Sequence, residues 1–273
     1  MKKVFAILLT GVLTLGLAAC GGSEAPADDA AGITLKIGAS PTPHAEILGA
    51  AKDELAAKGI NLEIVEFTDY VQPNLALDTG DLVANYFQHQ PYLDTFNAEH
   101  GTDLVSIGQV HFEPMAIYGG TVTDLADIPE GTKVGIPNDG TNGGRALLLL
   151  EANGLIKLNP EAGISATKLD VVENPHNLEI IDMEAAQLPL SLSDLGLAVI
   201  NGNYAMQNGL TSKDSLAIEG AESVAATTYG NIVAVKAGNE AAEGLAELME
   251  VLQGEAVAEF INSTYGGAVA PMN

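Results

Sequence analysis

The sequence predicts an α/β protein of two lobes, with the second lobe inserted into the first. Short strand-like runs alternate with longer helical runs along most of the chain, a pattern typical of a sheet covered on both faces. Two short apolar runs, 114–118 and Asn231–Lys236, break that order and predict two strands that cross a hinge. The roughly 240 residues from Ile33 onward suffice for one large or two small domains.

The first lobe is predicted from apolar periodicity. Between residues 45 and 58 apolar residues recur at helical spacing, which predicts a helix with one buried stripe. The residues of that stripe are Ile47, Leu48, Ala51 and Leu55. The other runs of this series are 34–39, 62–67, 71–78, 82–87, 91–99 and 104–110.

The second lobe is predicted from a second series of runs between the two hinge strands. These runs are 133–136, 141–153, 169–173, 183–192 and 197–201. We therefore expect residues 33–115 and 232–273 in the first lobe and residues 116–231 in the second. Open α/β sheets bind ligands at the carboxyl ends of their strands, so a cleft between the lobes is the expected site and closure on a ligand the expected motion.

The amino terminus predicts export and a lipid anchor. Lys2 and Lys3 precede an apolar run that ends at Leu17, shorter than the ~20 residues that span a bilayer, so residues 1–19 are interpreted as a signal peptide. The run Leu17-Ala18-Ala19-Cys20 resembles the lipobox of bacterial lipoproteins, which implies that Cys20 is lipidated. Residues 20–32 then form a polar, flexible tether. An ordinary signal peptide with a cysteine near its cleavage site is the alternative.

The charge balance excludes several partners. The chain has 36 acidic and 11 basic residues, a net charge of −25, so its surface repels nucleic acid and anionic lipid headgroups. With 47% hydrophobic residues the chain is still a folded protein rather than a disordered polyanion. We expect no nucleic-acid partner.

The strongest chemical signal is Arg145, the only arginine of the chain. It follows the loop Asn138-Asp139-Gly140-Thr141-Asn142-Gly143-Gly144 and begins an apolar helical run. Backbone N–H groups at a helix N-terminus attract anions, and a guanidinium fits a carboxylate with two hydrogen bonds. We interpret the loop as a carboxylate site; a surface arginine paired with a nearby acid is the alternative. The phosphate-loop spacing G-x-x-x-x-G-K-[ST] is absent, so we expect no nucleotide cofactor.

A second constellation lies at the end of a predicted strand. Alternation puts Phe87 and His89 on one face, and Tyr70 ends the preceding connection, where it could meet them. Aromatic rings there would form a polarisable pocket wall that suits an aliphatic or thioether group. Ordinary core packing is the alternative for either aromatic ring alone.

Two other classes of function fit the sequence less well. A zinc-type lipoprotein would use His44, His89 and His111 with an acid such as Glu113, although their spacing is not that of a metal motif. An enzyme is not expected, because the chain has no G-x-S-x-G elbow, no H-E-x-x-H motif and no cysteine for nucleophilic work beyond Cys20.

Several motifs in matching order closely resemble the methionine-binding lipoproteins of the NlpA type. They are 43–48 (PHAEIL), 87–93 (FQHQPYL), 113–115 (EPM), 136–139 (IPND), 141–145 (TNGGR), 170–175 (DVVENP) and 198–201 (AVIN). The resemblance covers nearly the whole mature chain. It implies a two-lobed periplasmic-binding-protein fold that is held at the extracytoplasmic (periplasmic or outer) face of the cell membrane by an N-terminal lipid, palmitate among its chains. Its partners would be L-methionine or a close analogue and the membrane permease of an ABC importer.

The resemblance also implies roles for site residues. Arg145 would bind the substrate carboxylate, with Asn142 in the same loop. Asn201 and Asn231 would offer amide oxygens to the ammonium group. The thioether would be enclosed by Tyr70, Phe87 and His89.

Overall fold

The computed structural model describes residues 32–220 and 224–272. The predicted signal peptide, Cys20 and all of the tether except Gly32 lie outside the described residues. Among the helices that the structure describes, none has both the length and the apolar character needed to cross a bilayer.

The described chain alternates strands and helices. Its strands are β1 (Ile33–Ala39), β2 (Ile60–Glu66), β3 (Ala84–His89), β4 (Leu104–Phe112), β5 (Ala116–Gly119), β6 (Lys133–Pro137), β7 (Lys157–Leu158), β8 (Val171–Glu173), β9 (Glu179–Met183), β10 (Leu197–Ile200), β11 (Ser215–Ile218), β12 (Asn231–Lys236) and β13 (Ala270–Pro271). Its α-helices are α1 (Glu46–Ala57), α2 (Gln72–Asp78), α3 (Gln90–His100), α4 (Gly140–Ala152), α5 (Gly202–Gln207), α6 (Val224–Thr228), α7 (Leu245–Leu252) and α8 (Glu255–Tyr265).

The strands form two main sheets, as the two-lobed α/β prediction requires. The first sheet has the order β13-β4-β12-β3-β1-β2, and the second has the order β11-β5-β10-β6-β9. Every strand of the second sheet lies in the chain between β4 and β12 of the first. The predicted fold class, with one lobe inserted into the other, is therefore confirmed.

Each sheet contains a point at which its strand order reverses. In the first sheet β1 runs parallel to both neighbours, with β2 on one side and β3 on the other. In the second sheet β6 runs parallel to β9 on one side and β10 on the other. Loops leaving the carboxyl ends of neighbouring parallel strands diverge at such a point, and the crevice between them is where open sheets hold ligands.

The two runs predicted to cross the hinge are each strands of a single sheet. β5 pairs only with β10 and β11 in the second sheet, whereas β12 pairs with β3 and β4 in the first. The chain passes from the first sheet to the second through the short connection 113–115, and it returns to the first sheet between Ile218 and Asn231. Asn231 itself pairs with His89 and His111 of the first sheet.

Burial explains why these segments adopt their structure. The four stripe residues of α1 are buried against the first sheet, as its periodicity predicts. Strand β3 is buried at all six positions because it lies in the middle of its sheet. A separate apolar core packs α4 on β6 and β10 in the second sheet.

Two runs of the second series differ from the sequence expectation. The run 183–192 begins at the last residue of an edge strand that the pattern did not predict, β9, and contains the short helical turn Ala185–Gln187 and the start of another, Leu192–Asp194. The run 169–173 ends in β8, which pairs only with β7 in a small separate sheet. Strand β9 has two central isoleucines between acidic residues, so its apolar signal is too short to be recognised.

Candidate functional site

A narrow cavity lies where the carboxyl ends of β3, β6 and β10 meet. All seven side chains that the sequence singled out line it, namely Tyr70, Phe87, His89, Asn142, Arg145, Asn201 and Asn231. Five further residues complete the lining: Gln88, Tyr92, Glu113, Gly202 and Asn203. The topology brings together residues from both sheets that are more than 150 positions apart in the chain.

Aromatic rings form one wall of the cavity. The Tyr70 ring centroid lies 5.8 Å from that of Phe87, 5.7 Å from that of Tyr92 and 4.8 Å from that of Tyr204. The Tyr70 hydroxyl donates to Asn203 Oδ1 at 2.6 Å, which holds the ring in place. This wall can pack against an aliphatic or sulfur-containing chain.

His89 is a buried, neutral histidine with a defined tautomer. Its Nδ1 accepts the backbone N–H of Tyr92 at 3.2 Å and so caps α3. The proton must then be on Nε2, which donates to Asn142 Oδ1 at 3.1 Å. Burial, with a smaller effect from Arg145, lowers the pKa of His89 to about 3.

Asn142 joins the two sheets through its side-chain amide. Its Oδ1 accepts from His89 and also from Asn201 Nδ2, the latter at 2.8 Å. Its Nδ2 donates to both carboxylate oxygens of Asp139, each at 3.0 Å, and Asp139 also caps the first turn of α4. The amide is thus held by the protein on both of its ends and orients its neighbours.

Arg145 is 4% exposed and is held in the wall of the cavity. Its Nε and Nη2 donate to the two carboxylate oxygens of Glu219 at 2.9 and 2.5 Å. Nη2 also donates to the backbone carbonyl of Glu113 at 2.9 Å, and the guanidinium carbon lies 4.4 Å from the centroid of the Tyr229 ring. Nε and Nη2 are therefore already bonded, and Nη1 is the guanidinium nitrogen that takes part in none of these bonds.

Glu219 therefore belongs to the site although no motif in the sequence marks it. It follows β11 and lies 74 residues beyond Arg145 in the chain. Its Oε2 accepts the Met115 backbone N–H at 2.8 Å, and its own N–H donates to the Met115 carbonyl at 3.0 Å. Arg145 is thereby hydrogen-bonded to residues of both connections between the sheets.

Four buried side-chain atoms of the described residues have no hydrogen-bond partner: His44 Nδ1, Asn201 Oδ1, Asn203 Nδ2 and the Tyr229 hydroxyl. Buried polar groups in proteins are nearly always satisfied, so such orphans mark places where a bound molecule would supply the partner. Asn201 and Asn203 both line the cavity. The cavity therefore presents at least one free acceptor and one free donor.

A second polar cluster lies directly behind the cavity. His111 Nε2 donates to Glu113 Oε1 at 2.8 Å, and His44 Nε2 lies 3.3 Å from the same oxygen and 2.9 Å from Asn231 Oδ1. The Tyr86 hydroxyl bonds to His111 Nδ1. Burial lowers the pKa of His44 to about 4 and that of His111 to about 3.

This cluster contains three of the four groups named for the zinc alternative. The possible ligand atoms of His44, His111 and Glu113 lie within 4.8 Å of one another, but His89 is bonded to Asn142 instead. The close contacts of the three groups are those of a buried hydrogen-bond network, in which each ring Nε2 faces an oxygen acceptor.

Comparison with known proteins places these features in a family. The model of the NlpA lipoprotein family matches residues 35–273. The D-methionine-binding lipoprotein MetQ of Escherichia coli (strain K12) is 41% identical over 272 residues, covering 98% of this chain and 97% of that protein. These relatives do not favour the zinc-binding alternative.

Solved structures of similar proteins support the same family. A putative lipoprotein from Ruminococcus gnavus is 50% identical with a TM-score of 0.87, over 88% of this chain and 99% of that one. A nutrient binding protein from Burkholderia cenocepacia bound to methionine is 40% identical with a TM-score of 0.83, over 88% of this chain and 100% of that one.

Proposed function

Because the chain belongs to the NlpA lipoprotein family, we propose that it is a substrate-binding protein that captures methionine for an ABC importer. The solved structure from B. cenocepacia, which contains methionine, and the MetQ relatives support this substrate. Proteins of this family bind and deliver a solute rather than convert it, so the protein is not an enzyme.

One observation carries the proposal at the level of chemistry. A single cavity combines a guanidinium, an unpartnered amide oxygen and an aromatic wall. A zwitterionic amino acid with an apolar side chain needs a cation for its carboxylate, acceptors for its ammonium group and an apolar slot. Methionine satisfies all three requirements, and its sulfur is suited to contact with aromatic rings.

The proposed roles follow from this arrangement. Arg145 binds the substrate carboxylate at the start of α4, where Asn142 holds the neighbouring side chains in place. Asn201 offers its amide oxygen to the ammonium group. Asn231 Oδ1 is already bonded to His44, so this residue does not offer the amide oxygen that the resemblance implied. The thioether lies among three side chains, Tyr70, Phe87 and His89.

The remaining parts of the proposal concern the whole chain. Residues 33–115 and 232–273 act as one lobe and residues 116–231 as the other, closing on the ligand. A lipid on Cys20 holds the protein at the extracytoplasmic face of the membrane, where a permease receives the substrate. Replacing Cys20 with alanine and fractionating cells tests the anchor: the variant should leave the membrane fraction, and its retention there would contradict the anchor.

Isothermal titration calorimetry on the ligand-stripped protein tests the substrate. L-Methionine, D-methionine and a methionyl dipeptide are compared, with glutamate as a control that lacks an apolar side chain. We expect heat from at least one methionine ligand, no heat from glutamate, and a higher Tm with the bound ligand. Absence of heat with all three methionine ligands would remove the assignment.

A further inference from the structure

Within the proposed amino-acid site, we propose that Glu113 is the counter-charge for the α-ammonium group of the ligand. This inference rests on the proposed function and deepens it. It makes the site selective for molecules that carry a free, protonated amine next to the carboxylate, and it gives the buried histidines behind the cavity a role as positioning residues.

Glu113 is a buried carboxylate that reaches the cavity. It is 5% exposed, lines the cavity and lies in the connection that follows β4. Both histidine contacts fall on Oε1, whereas Oε2 faces the start of α5, where a Cβ on Gly202 would lie 3.0 Å from it. A carboxylate offers about four lone-pair positions, so the two histidines and the Asn203 backbone N–H leave room for one donor from the ligand.

The histidines behind Glu113 orient it without neutralising it. The Tyr86 hydroxyl occupies His111 Nδ1, so the proton of His111 is on Nε2 and is donated to Glu113. His44 directs its Nε2 at two oxygen acceptors and therefore also carries its proton there. Because burial lowers the pKa of both rings, they are neutral donors at pH 7.

The nearby cation is already engaged. Arg145 directs two of its nitrogens to Glu219 and gives Glu113 only a bond to the backbone carbonyl. Burial accordingly raises the pKa of Glu113, although His44, Arg145 and the backbone of Asn203 act in the opposite direction. An ionised Glu113 in this position lacks a full cationic partner, and a ligand ammonium group would supply one.

The amide side chains of Asn201 and Asn231 support the same assignment. Asn201 is 7% exposed, and its Nδ2 is donated to Asn142, which leaves Oδ1 as an unpartnered acceptor in the cavity. Asn231 has the opposite orientation, because its Oδ1 is bonded to His44 and its Nδ2 takes no part in that bond. Glu113 and Asn201 therefore form the acceptor pair for an ammonium group, and Asn231 presents a donor.

A cycle of two ligands and two proteins tests this inference. The ligands are methionine and 4-(methylthio)butanoate, which is methionine without its amine, and the proteins are the full-length chain and its Glu113→Gln variant, both in detergent. Wild type should prefer methionine by at least about tenfold, the factor expected for a charge-assisted hydrogen bond. Glu113→Gln should lower methionine affinity by at least about tenfold and leave butanoate affinity unchanged or higher.

Two control variants separate this role from general damage. Glu219→Gln perturbs the Arg145 side of the site, so it should weaken both ligands by similar factors. Glu250→Gln alters an exposed carboxylate paired with Lys58 and should change neither affinity. If Glu113→Gln does not fold, Glu113→Asp, which keeps the charge, should weaken methionine more than the butanoate.

The outcomes distinguish the two proposals. No binding of methionine to wild type would remove the proposed function. If wild type binds methionine but binds the butanoate with an affinity within about threefold of it, the role of Glu113 is overturned and the function stands. The same conclusion follows if the preference for methionine over the butanoate survives in both Glu113 variants.

Discussion

Lowering the pH from 7 to 5 should strongly destabilise the ligand-free protein, because three histidines are buried in the neutral form. Burial lowers the pKa of His44 to about 4 and the pKa values of His89 and His111 to about 3, against an ordinary value of 6.5. Between pH 6.5 and the pKa values of the folded state, the unfolded chain therefore binds more protons than the folded chain. Their contribution to stability is complete above pH 6.5 and is lost as the pH falls.

The magnitude follows from proton linkage. Each histidine that is protonated only on unfolding costs about 1.4 kcal/mol per pH unit below 6.5, or about 2 kcal/mol at pH 5. Three such groups amount to about 6 kcal/mol. Glu113 acts in the opposite direction, because its raised pKa lets the folded state take up a proton first. The net loss is therefore smaller than about 6 kcal/mol, an amount comparable to the whole stability of many domains.

Urea unfolding of the ligand-stripped protein at pH 7, 6 and 5, followed by circular dichroism, measures this loss. His111→Gln should flatten the pH dependence by about one third, since it removes one of the three buried histidines. His100→Gln replaces an exposed histidine and serves as the matched control. An unfolding free energy that agrees at pH 7 and pH 5 within about 1 kcal/mol would refute the reasoning.

Three further predictions concern single side chains. Arg145→Lys should weaken methionine binding at least about tenfold in calorimetry, because an ammonium cannot keep both bonds to Glu219 and also present a donor to the ligand; unchanged affinity would place the arginine outside the site. Gly144→Ala should cost about 1–3 kcal/mol in urea unfolding, since its Cβ would lie 2.6 Å from the Ile164 carbonyl oxygen, whereas Gly140→Ala has nothing within 4 Å and should be neutral; equal effects would contradict this packing. Leu48→Ala should cost about 2–5 kcal/mol by the same measurement, because the side chain is fully buried, and a loss below about 1 kcal/mol would mean that the core refills the space.

Much of the fold could be predicted because it depends on local patterns. The apolar stripe of α1 and the continuous apolar run of β12 are visible in short windows, and the structure places both where the patterns indicate. Strand β9 was missed because an edge strand needs little apolar surface, and its pairing with β6 comes from a segment more than 40 residues away. The pattern indicated two crossing runs, but strand pairing assigns each of them to one sheet.

The sequence could predict which residues line the candidate site, but not which hydrogen bonds those residues form. Arg145 could be singled out because a lone arginine after a glycine-rich loop is unusual in any chain. Its pairing with Glu219 could not, because one acid among 36 carries no mark of its partner. The same holds for Asn201 and Asn231, which look alike in sequence and present opposite ends of their amides.

The sequence by itself determined the class of the fold, the positions of most strands and helices of the first lobe, and the candidate residues that gather at the strand ends, because these depend on periodicity and on residue type. Only the tertiary structure decided which atom of each polar side chain is already bonded and which is free. That choice depends on partners such as His44 and Asn142, which folding brings from distant segments into a cavity where an unmade hydrogen bond is costly.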